Sequence, residues 1–336
     1  MLSVLIRNFI AQNRSKEELK RQSEAVKQRQ VEKQRVQEEQ ELMAEINQYE
    51  AVATAFSTDK SQKTLRFDLQ SAINHQVNDI SHRSGQHLQE NLDNLRNLLQ
   101  GNEINVGNKR VRATVDPRGL LYCASLLARK LVEQVCVKFQ ETFVLAAVIT
   151  ELWSEFPIFG RLVLANFYRQ CPYLIPVYPT PREESQSDEE FFKSLGYKYL
   201  NGKVEQEFEY LERMSRIVRL YAAVTISLPR RNPSHPHGLH QAWKYLESLL
   251  HLSPQSDFTA SILVEFLTVT GNAMEAKYGE KFQQMLDFIH KDFIAQIRSV
   301  TLPLSDESRV DTLQFFLNQS MGGIEPPADQ LSPEFW

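Results

Sequence analysis

The fold is organised around one proline-rich stretch, which reads Cys171-Pro172-Tyr173-Leu174-Ile175-Pro176-Val177-Tyr178-Pro179-Thr180-Pro181. Its prolines lack the backbone N–H and hold φ at about −65°, so the stretch cannot form a helix. We call it the proline strap and predict that it crosses the surface as an extended segment. An apolar helical run from Trp153 to Phe167 precedes the strap, and a helix through Tyr210 and Met214 follows an acidic loop. We therefore expect the strap to fix the spacing between these two helices.

Helical patterns recur on both sides of the strap, with apolar residues three and four positions apart and short breaks between segments. They predict helices over residues 120–139, 143–154, 157–171, 205–228, 239–252, 257–278, 281–299 and 308–319. No sheet is needed to complete such a fold. Consecutive amphipathic helices joined by short turns favour an all-α protein built as a solenoid of stacked helical pairs, although no clean repeat period is present.

The N-terminal part of the chain differs in composition. Residues 15–48 are rich in Lys, Arg, Glu and Gln and lack Gly and Pro, which predicts a long charged helix that is either a weak coiled coil or a solvated single helix. We expect three regions: a charged helix or coiled-coil tail over 1–56, a linker over 57–64 and an all-helical domain over 65–336. Residues 1–14 are amphipathic but too short and interrupted for a signal peptide or membrane span, so we interpret them as a helix start rather than a mitochondrial presequence.

Composition and charge limit the classes of function. The chain has 336 residues, of which 42% are hydrophobic and 24% charged, and its net charge is −4. Nucleic acid would therefore need a local basic patch, and the cluster at residues 109–112, in a predicted loop with at most one short extended piece, is better explained as a solvated surface. The cysteines, Cys123, Cys136 and Cys171, are far apart, which indicates a reducing compartment and no disulfide scaffold.

Catalytic and metal-binding motifs are weak in this sequence. It contains no GxxxxGK[ST], GxGxxG after a strand, GxSxG or HExxH pattern, so we do not expect an enzyme. His235, His237 and His240 could ligate a metal, but the intervening Pro236 and Gly238 indicate a helix entry turn and no carboxylate or thiol lies nearby. We therefore predict no metal site. The acids Glu205, Glu207, Glu209 and Glu212 are interpreted as a solvated helix face.

A basic pocket for an anionic ligand is the one binding site that the residues suggest. Arg129 and Lys130 lie in the predicted helix over 120–139, and Arg169 ends the helix before the strap. If these helices pack side by side, their cations could converge on a phosphate group. Glu133 lies one turn beyond Arg129 and dilutes the charge, so ordinary surface cations are the competing interpretation.

Several short motifs, taken together and in order, resemble the C-terminal domain of the Gle-one mRNA export factor family. They are Cys171-Pro172-Tyr173 through Tyr178-Pro179-Thr180, Leu195-Gly196-Tyr197, Val204-Glu205-Gln206, Arg213-Met214-Ser215, Arg219-Leu220-Tyr221-Ala222-Ala223, His235-Pro236-His237-Gly238-Leu239, Gly271-Asn272 and Phe335-Trp336. The likeness covers residues 65–336, and the charged helix before them is similar to the end of that family's coiled coil.

The resemblance implies a HEAT-like helical-repeat solenoid, similar to the middle domain of large translation-initiation scaffolds. It also implies a non-enzymatic activator at the cytoplasmic face of the nuclear pore complex, shared between nucleus and cytoplasm. There the family binds a DEAD-box RNA helicase of mRNA export and stimulates its ATPase, with a small nucleoporin as a further partner. The alternative function is a helical-repeat adaptor for translation initiation or termination factors.

The resemblance further implies inositol hexakisphosphate as a ligand, because fungal members use it as a tether between scaffold and helicase. This chain matches their basic residues at Arg129, or its neighbour Lys130, and at Arg169. It departs from them at Glu133, Asn166 and Gln170, which removes positive charge from the pocket. We therefore expect a scaffold that requires no cofactor, with inositol hexakisphosphate as the candidate ligand.

Overall fold

The computed structural model of the chain describes residues 30, 33–34, 36–107, 109–176, 182, 186–232, 234–255, 258–301, 307–320, 322–332 and 334–335. The chain divides into two compact units, Met1–Glu45 and Ile46–Trp336. Within the first unit every described residue is helical, as the charged composition predicts. Residues 1–14 lie outside the described residues. The predicted division into residues 1–56, 57–64 and 65–336 stays a prediction.

The second unit is helical for most of its described length. It opens with helical residues 46–58, named α1. The helices that follow are α2 Lys63–Asp79, α3 Gly85–Gln100, α4 Gly119–Val137, α5 Thr142–Glu155, α6 Pro157–Gln170, α7 Asp188–Ser194, α8 Glu207–Ile226, α9 Leu239–Leu250, α10 Thr259–Tyr278, α11 Glu280–Phe288, α12 Ile294–Val300 and α13 Glu307–Ser320. The all-α prediction is confirmed, while the repeat geometry of a solenoid stays a prediction.

Two short antiparallel hairpins interrupt the helices, so the expectation that no sheet is needed was incomplete. Strand β1, Glu103–Val106, pairs with β2, Lys109–Arg112, where a loop was predicted. Strand β3, Tyr199–Leu200, pairs with β4, Lys203–Val204, through a turn at Asn201-Gly202. Both turn residues have positive φ, 53° and 75°, which is the conformation that favours Asn-Gly in two-residue hairpins.

The segment that follows the strap contains a helix where the sequence predicted only an acidic loop. Helix α7 begins with a capping box, in which the Ser187 hydroxyl accepts from the Glu190 N–H and the Glu190 carboxylate accepts from the Ser187 N–H. The Ser-x-x-Glu spacing was the available signal. The strap begins with a 3-10 turn at Pro172–Leu174, so the prediction of a fully extended segment was wrong for its first residues. Its residues 177–181 lie outside the described residues.

The core forms where α5 packs against α6 and α8, and where α8 packs in turn against α10. Most residues of α5 are buried and apolar, which is typical of an interior helix. The α5–α6 contact requires glycine at one point, because a Cβ on Gly160 would lie 1.9 Å from Cδ1 of Trp153. In the described ranges, no helix combines the length and apolar character that a bilayer span needs.

Candidate functional site

The predicted cations Arg129 and Lys130 lie on α4, on the side that is partly open to solvent. Arg129 is exposed, and its Nε lies 4.0 Å from Oε1 of Glu133, one turn along the same helix. Lys130 is half-buried. Helices α4 and α6 pack against each other, so the structure brings the helix of Arg129 beside the helix of Arg169. The acid Glu133 lies beside Arg129 in this arrangement.

Arg169, in the last turn of α6, is also paired with an acid. Its guanidinium forms an ion pair with the carboxylate of Glu50 and donates a hydrogen bond of 3.2 Å to Oδ1 of Asn47. Both partners lie on α1, three residues apart and hence on one face of that helix. The two side chains of the ion pair are each about one-third exposed, at 32% and 33%. Sequence patterns could not show this contact, because it joins residues far apart in the chain.

The three positions that depart from the fungal pattern take different roles in the structure. Glu133 pairs with Arg129, as described. Asn166 is buried and donates from Nδ2 to the Leu162 carbonyl of its own helix at 2.8 Å. Gln170 accepts a hydrogen bond from Arg213 through its backbone carbonyl at 3.3 Å. None of the three side chains therefore supplies a cation beside Arg129 or Arg169.

The basic cluster at residues 109–112 lies on strand β2, and its cations have partners. Nζ of Lys109 lies 2.9 Å from Oδ1 of Asp68, and Arg110 lies 3.3 Å from the carboxylate of Glu103. Arg112 donates from Nε to the Gly101 carbonyl at 3.0 Å. These contacts favour a locally neutralised surface over a phosphate site.

The motifs around the strap form a cluster of rings in which Tyr210 is buried and Tyr173 and Tyr197 are half-buried. Tyr210 of α8 stacks on Tyr197, with ring centroids 3.6 Å apart and an interplanar angle of 6°. Its hydroxyl donates to the Leu195 carbonyl at 2.7 Å and lies 3.1 Å from the hydroxyl of Tyr173 in the strap. Burial, more than any other cause, raises the pKa of Tyr210 well above its usual range, so the phenol stays protonated. This cluster joins the strap, the β3–β4 region and α8.

A buried ion pair lies next to those rings and corrects one interpretation of the sequence. Glu205 was placed on a solvated face, but its side chain is only 9% exposed and pairs with Arg213, which is 8% exposed. Burial pushes the pKa of Glu205 upward, yet hydrogen bonds from Arg213 and from the Lys198 N–H outweigh it and hold that pKa below its usual value. Arg213 also donates to the Gly196 carbonyl at 2.7 Å. The pair therefore fastens the turn before β3 to α8.

The remaining acids of that predicted face lie as expected. Glu207 and Glu209 are exposed at the start of α8, where carboxylates favour the positive end of the helix dipole. Glu212 pairs with Arg216, one turn further along. They have contacts typical of a solvated helix face.

Two histidines of the motif, His235 and His237, lie inside the fold and have protein partners, whereas His240 is exposed at the start of α9. Nδ1 of His235 accepts from the His237 N–H at 2.9 Å, so Nε2 carries the proton and donates to the Val224 carbonyl at 2.7 Å. His237 stacks on Trp153 at 5.0 Å between centroids, and its Nε2 lies 3.0 Å from the hydroxyl of Tyr221. Burial lowers the pKa of His237 to about 3, which keeps the ring neutral. These contacts support the helix-entry interpretation.

The cysteine side chains show no activated thiol. Cys123 and Cys171 are buried thiols, and burial raises the pKa of each to about 12, so neither forms a thiolate near neutral pH. Cys136, at intermediate burial, is also a free thiol. In the part of the chain that the structure describes, no three His, Cys, Asp or Glu side chains are grouped so that they could hold a metal ion.

Comparison with known proteins places these features in a family. A profile for the family described as GLE1-like protein matches residues 13–290. The rat protein mRNA export factor GLE1 is 35% identical over 289 residues, which are 83% of this chain and 41% of the rat protein. The Drosophila melanogaster protein mRNA export factor Gle1 is 33% identical over 247 residues, which are 71% of this chain and 36% of that protein. The chain thus spans less than half the length of these relatives.

A solved structure shares the fold. It is described as the S. cerevisiae Dbp5 C-terminal domain bound to Gle1 and IP6, and one of its chains matches with a TM-score of 0.74 at 18% identity. The match covers 90% of this chain and 99% of that chain. At such low identity the likeness shows the fold and not the ligand contacts. The family profile and the rat and fly relatives together show that the chain belongs to the GLE1-like family, the mRNA export factors that its strap and histidine motifs resemble.

Proposed function

We propose that this chain binds the DEAD-box RNA helicase of mRNA export and stimulates its ATPase. The observation that carries the proposal is the shared fold: a chain matching over 90% of this one was solved in a complex described as Dbp5, Gle1 and IP6. The family supports the same function, since the relatives named above are mRNA export factors.

The proposed mechanism is differential binding by a rigid scaffold. A partner that favours one arrangement of the two helicase lobes shifts the enzyme toward that arrangement and lowers the barrier to product release. The buried Arg213–Glu205 pair and the stacked Tyr197 and Tyr210 rings give the strap region the rigidity that such a scaffold requires. No catalytic group of this chain enters the mechanism.

Location and further partners follow from the family and are part of the proposal. We place the activity at the cytoplasmic face of the nuclear pore complex, with the protein shared between nucleus and cytoplasm. A small nucleoporin is the second proposed partner. Residues 65–336 are proposed as the helicase-activating domain, and the charged helix before them as the end of a coiled coil.

The proposed anion site consists of Arg129, Lys130 and Arg169, with inositol hexakisphosphate as its ligand. It is supported by the packing of α4 against α6 and by the IP6 in the description of the yeast complex. The ion pairs with Glu133 and Glu50 reduce the net positive charge there. We therefore propose that the ligand is not required for stimulation.

The test is the steady-state, RNA-stimulated ATPase of the cognate helicase, measured with and without the full chain and with and without inositol hexakisphosphate. We expect stimulation in both conditions. The R129A/K130A double variant is the matched control. In the absence of inositol hexakisphosphate, we expect it to stimulate the helicase ATPase as much as the unaltered chain does. No stimulation in either condition by a folded, helical sample would contradict the proposal and favour a translation-factor adaptor.

A further inference from the structure

Glu50 presents a carboxylate to the guanidinium of Arg169, the group that would recognise an anionic ligand. The carboxylate forms an ion pair with the guanidinium, and Asn47, one turn earlier on α1, accepts a second hydrogen bond from it at 3.2 Å. An arginine fork recognises carboxylate and phosphate oxygens with the same geometry. Glu50 and a phosphate are therefore competing anions for the guanidinium of Arg169.

The two acids near the predicted cations differ in how firmly they are held. Glu133 pairs with Arg129 along one exposed helix at 4.0 Å, with side chains that are 54% and 47% exposed. Such a pair is weak and opens readily to solvent. Glu50 instead comes from a second helix and is less exposed, so the fold holds it beside Arg169 at high effective concentration.

We propose that Glu50 determines whether Arg169 can take a polyphosphate ligand, acting as an internal anion that competes with it. This inference rests on the anion site proposed above. By linkage, a polyphosphate bound at Arg169 weakens the contact between α1 and α6, and loss of the Glu50 charge strengthens the binding of the polyphosphate. Glu50 is thus a specificity-determining residue of the site.

Isothermal titration calorimetry of the full chain with inositol hexakisphosphate tests this proposal. We expect E50Q to bind the ligand at least about fivefold more tightly than the unaltered chain, the lower end of typical coupling between sites. The E50Q/R169Q double variant should lose that gain. Equal affinity of E50Q and the unaltered chain, including no measurable binding by both, would overturn the proposal.

Two control variants separate the local effect of charge from its alternatives. D311N removes the carboxylate that lies 2.7 Å from Arg298, between α12 and α13, and so changes net charge by the same amount at another arginine. N47A removes the second α1 contact of Arg169 without a change of charge. We expect both variants to bind as the unaltered chain does. If D311N gained as much affinity for inositol hexakisphosphate as E50Q, the cause would be the net charge of the chain. If N47A gained that affinity, the cause would be undocking of α1. Either result would overturn the proposal. The helicase ATPase assay is run without inositol phosphate, so failure of the proposed function can be distinguished from failure of this inference.

Discussion

Two arginine–glutamate pairs of this chain differ in almost every respect except their chemistry. Arg213 and Glu205 lie beside the start of the strap, both less than a tenth exposed, with further hydrogen bonds to the backbone of Gly196 and Lys198. Arg129 and Glu133 lie along α4, about half exposed and 4.0 Å apart. The buried pair links α8 to the residue after β4 and, through its backbone contacts, to the turn before β3, whereas the exposed pair joins two turns of one helix. The buried motif residues therefore stabilise the fold, whereas the cations of the proposed anion site lie nearer the surface.

The largest expected effect comes from breaking the buried pair. Arg213→Met leaves the Glu205 carboxylate buried without its partner, which should lower the free energy of unfolding by about 3–5 kcal/mol. Chemical denaturation followed by circular dichroism measures the change. Arg298→Met is the matched control, because its partner Asp311 is exposed, and it should lose less than about 1 kcal/mol. Equal losses in the two variants would mean that burial does not distinguish the two pairs.

Overpacking the α5–α6 contact should have the next largest effect. A methyl group on Gly160 would lie 1.9 Å from Trp153, so Gly160→Ala must displace the indole from its stack on His237. We expect a loss of about 3 kcal/mol, the upper end for overpacked cores. Thermal unfolding measures the loss. Gly322→Ala is the control, since its added Cβ would meet only the Gln319 carbonyl, at 3.9 Å, and a change in melting temperature equal to that of Gly160→Ala would argue against a steric cause.

Lowering the pH tests the buried histidine. Because burial lowers the pKa of His237 from 6.5 to about 3, the unfolded chain binds this proton more readily than the folded one. Stability is therefore complete above pH 6.5 and falls as the pH decreases toward 3. Between about pH 7 and pH 5 this group alone accounts for a loss of about 2 kcal/mol.

The variant His237→Phe keeps an aromatic ring against Trp153 but cannot bind a proton. We expect the stability of this variant, measured by denaturant titration at each pH, to change less between about pH 7 and pH 5 than that of the unaltered chain. An unchanged slope would show that His237 is not the group that titrates.

The smallest effect is expected at the exposed pair. Arg129→Ala should change the free energy of unfolding by no more than about 0.5 kcal/mol, because an exposed helical ion pair contributes little. Denaturant titration at low and at high salt measures it. A loss comparable with that of Arg213→Met would remove the distinction between the two regions.

The sequence predicted the elements well where periodicity is strong and less well where single residues decide. Apart from α7, the helices from α4 to α13 follow apolar spacing, and the predicted segments match them closely except that 281–299 is divided by a π-helical turn at Ile289–Phe293. The Asn201-Gly202 hairpin and the α7 capping box had local signals that were not used. Two ion pairs had no local signal: Glu50 and Arg169 are 119 residues apart, and Glu205 lies before α8 begins, so its pairing with Arg213 follows from no helical spacing.

The candidate site was predictable only in part. The positions of Arg129, Lys130 and Arg169 on two neighbouring helices agree with the sequence analysis, but whether they bind a ligand stays a prediction. The acidic partners of Arg129 and Arg169 differ in whether the sequence could reveal them. Glu133 was visible in the sequence as a neighbour one turn away, while Glu50 belongs to a helix that was assigned to the charged tail.

One ion pair has a consequence for the order in which the chain folds. Arg219 of α8 is nearly buried, with its guanidinium 5.4 Å from the Phe139 ring centroid, and it donates to Asp329 across 110 residues of sequence. At about 5–20 residues per second, a ribosome needs roughly 5 to 20 seconds to synthesise that interval. During this time α8 can pack on the earlier helices, and Arg219 can already pair with Glu265, whose Oε2 lies 3.5 Å from its Nη1. The contact with Asp329 forms only after residue 329 has been synthesised, so the two-acid pairing of Arg219 is completed late in folding.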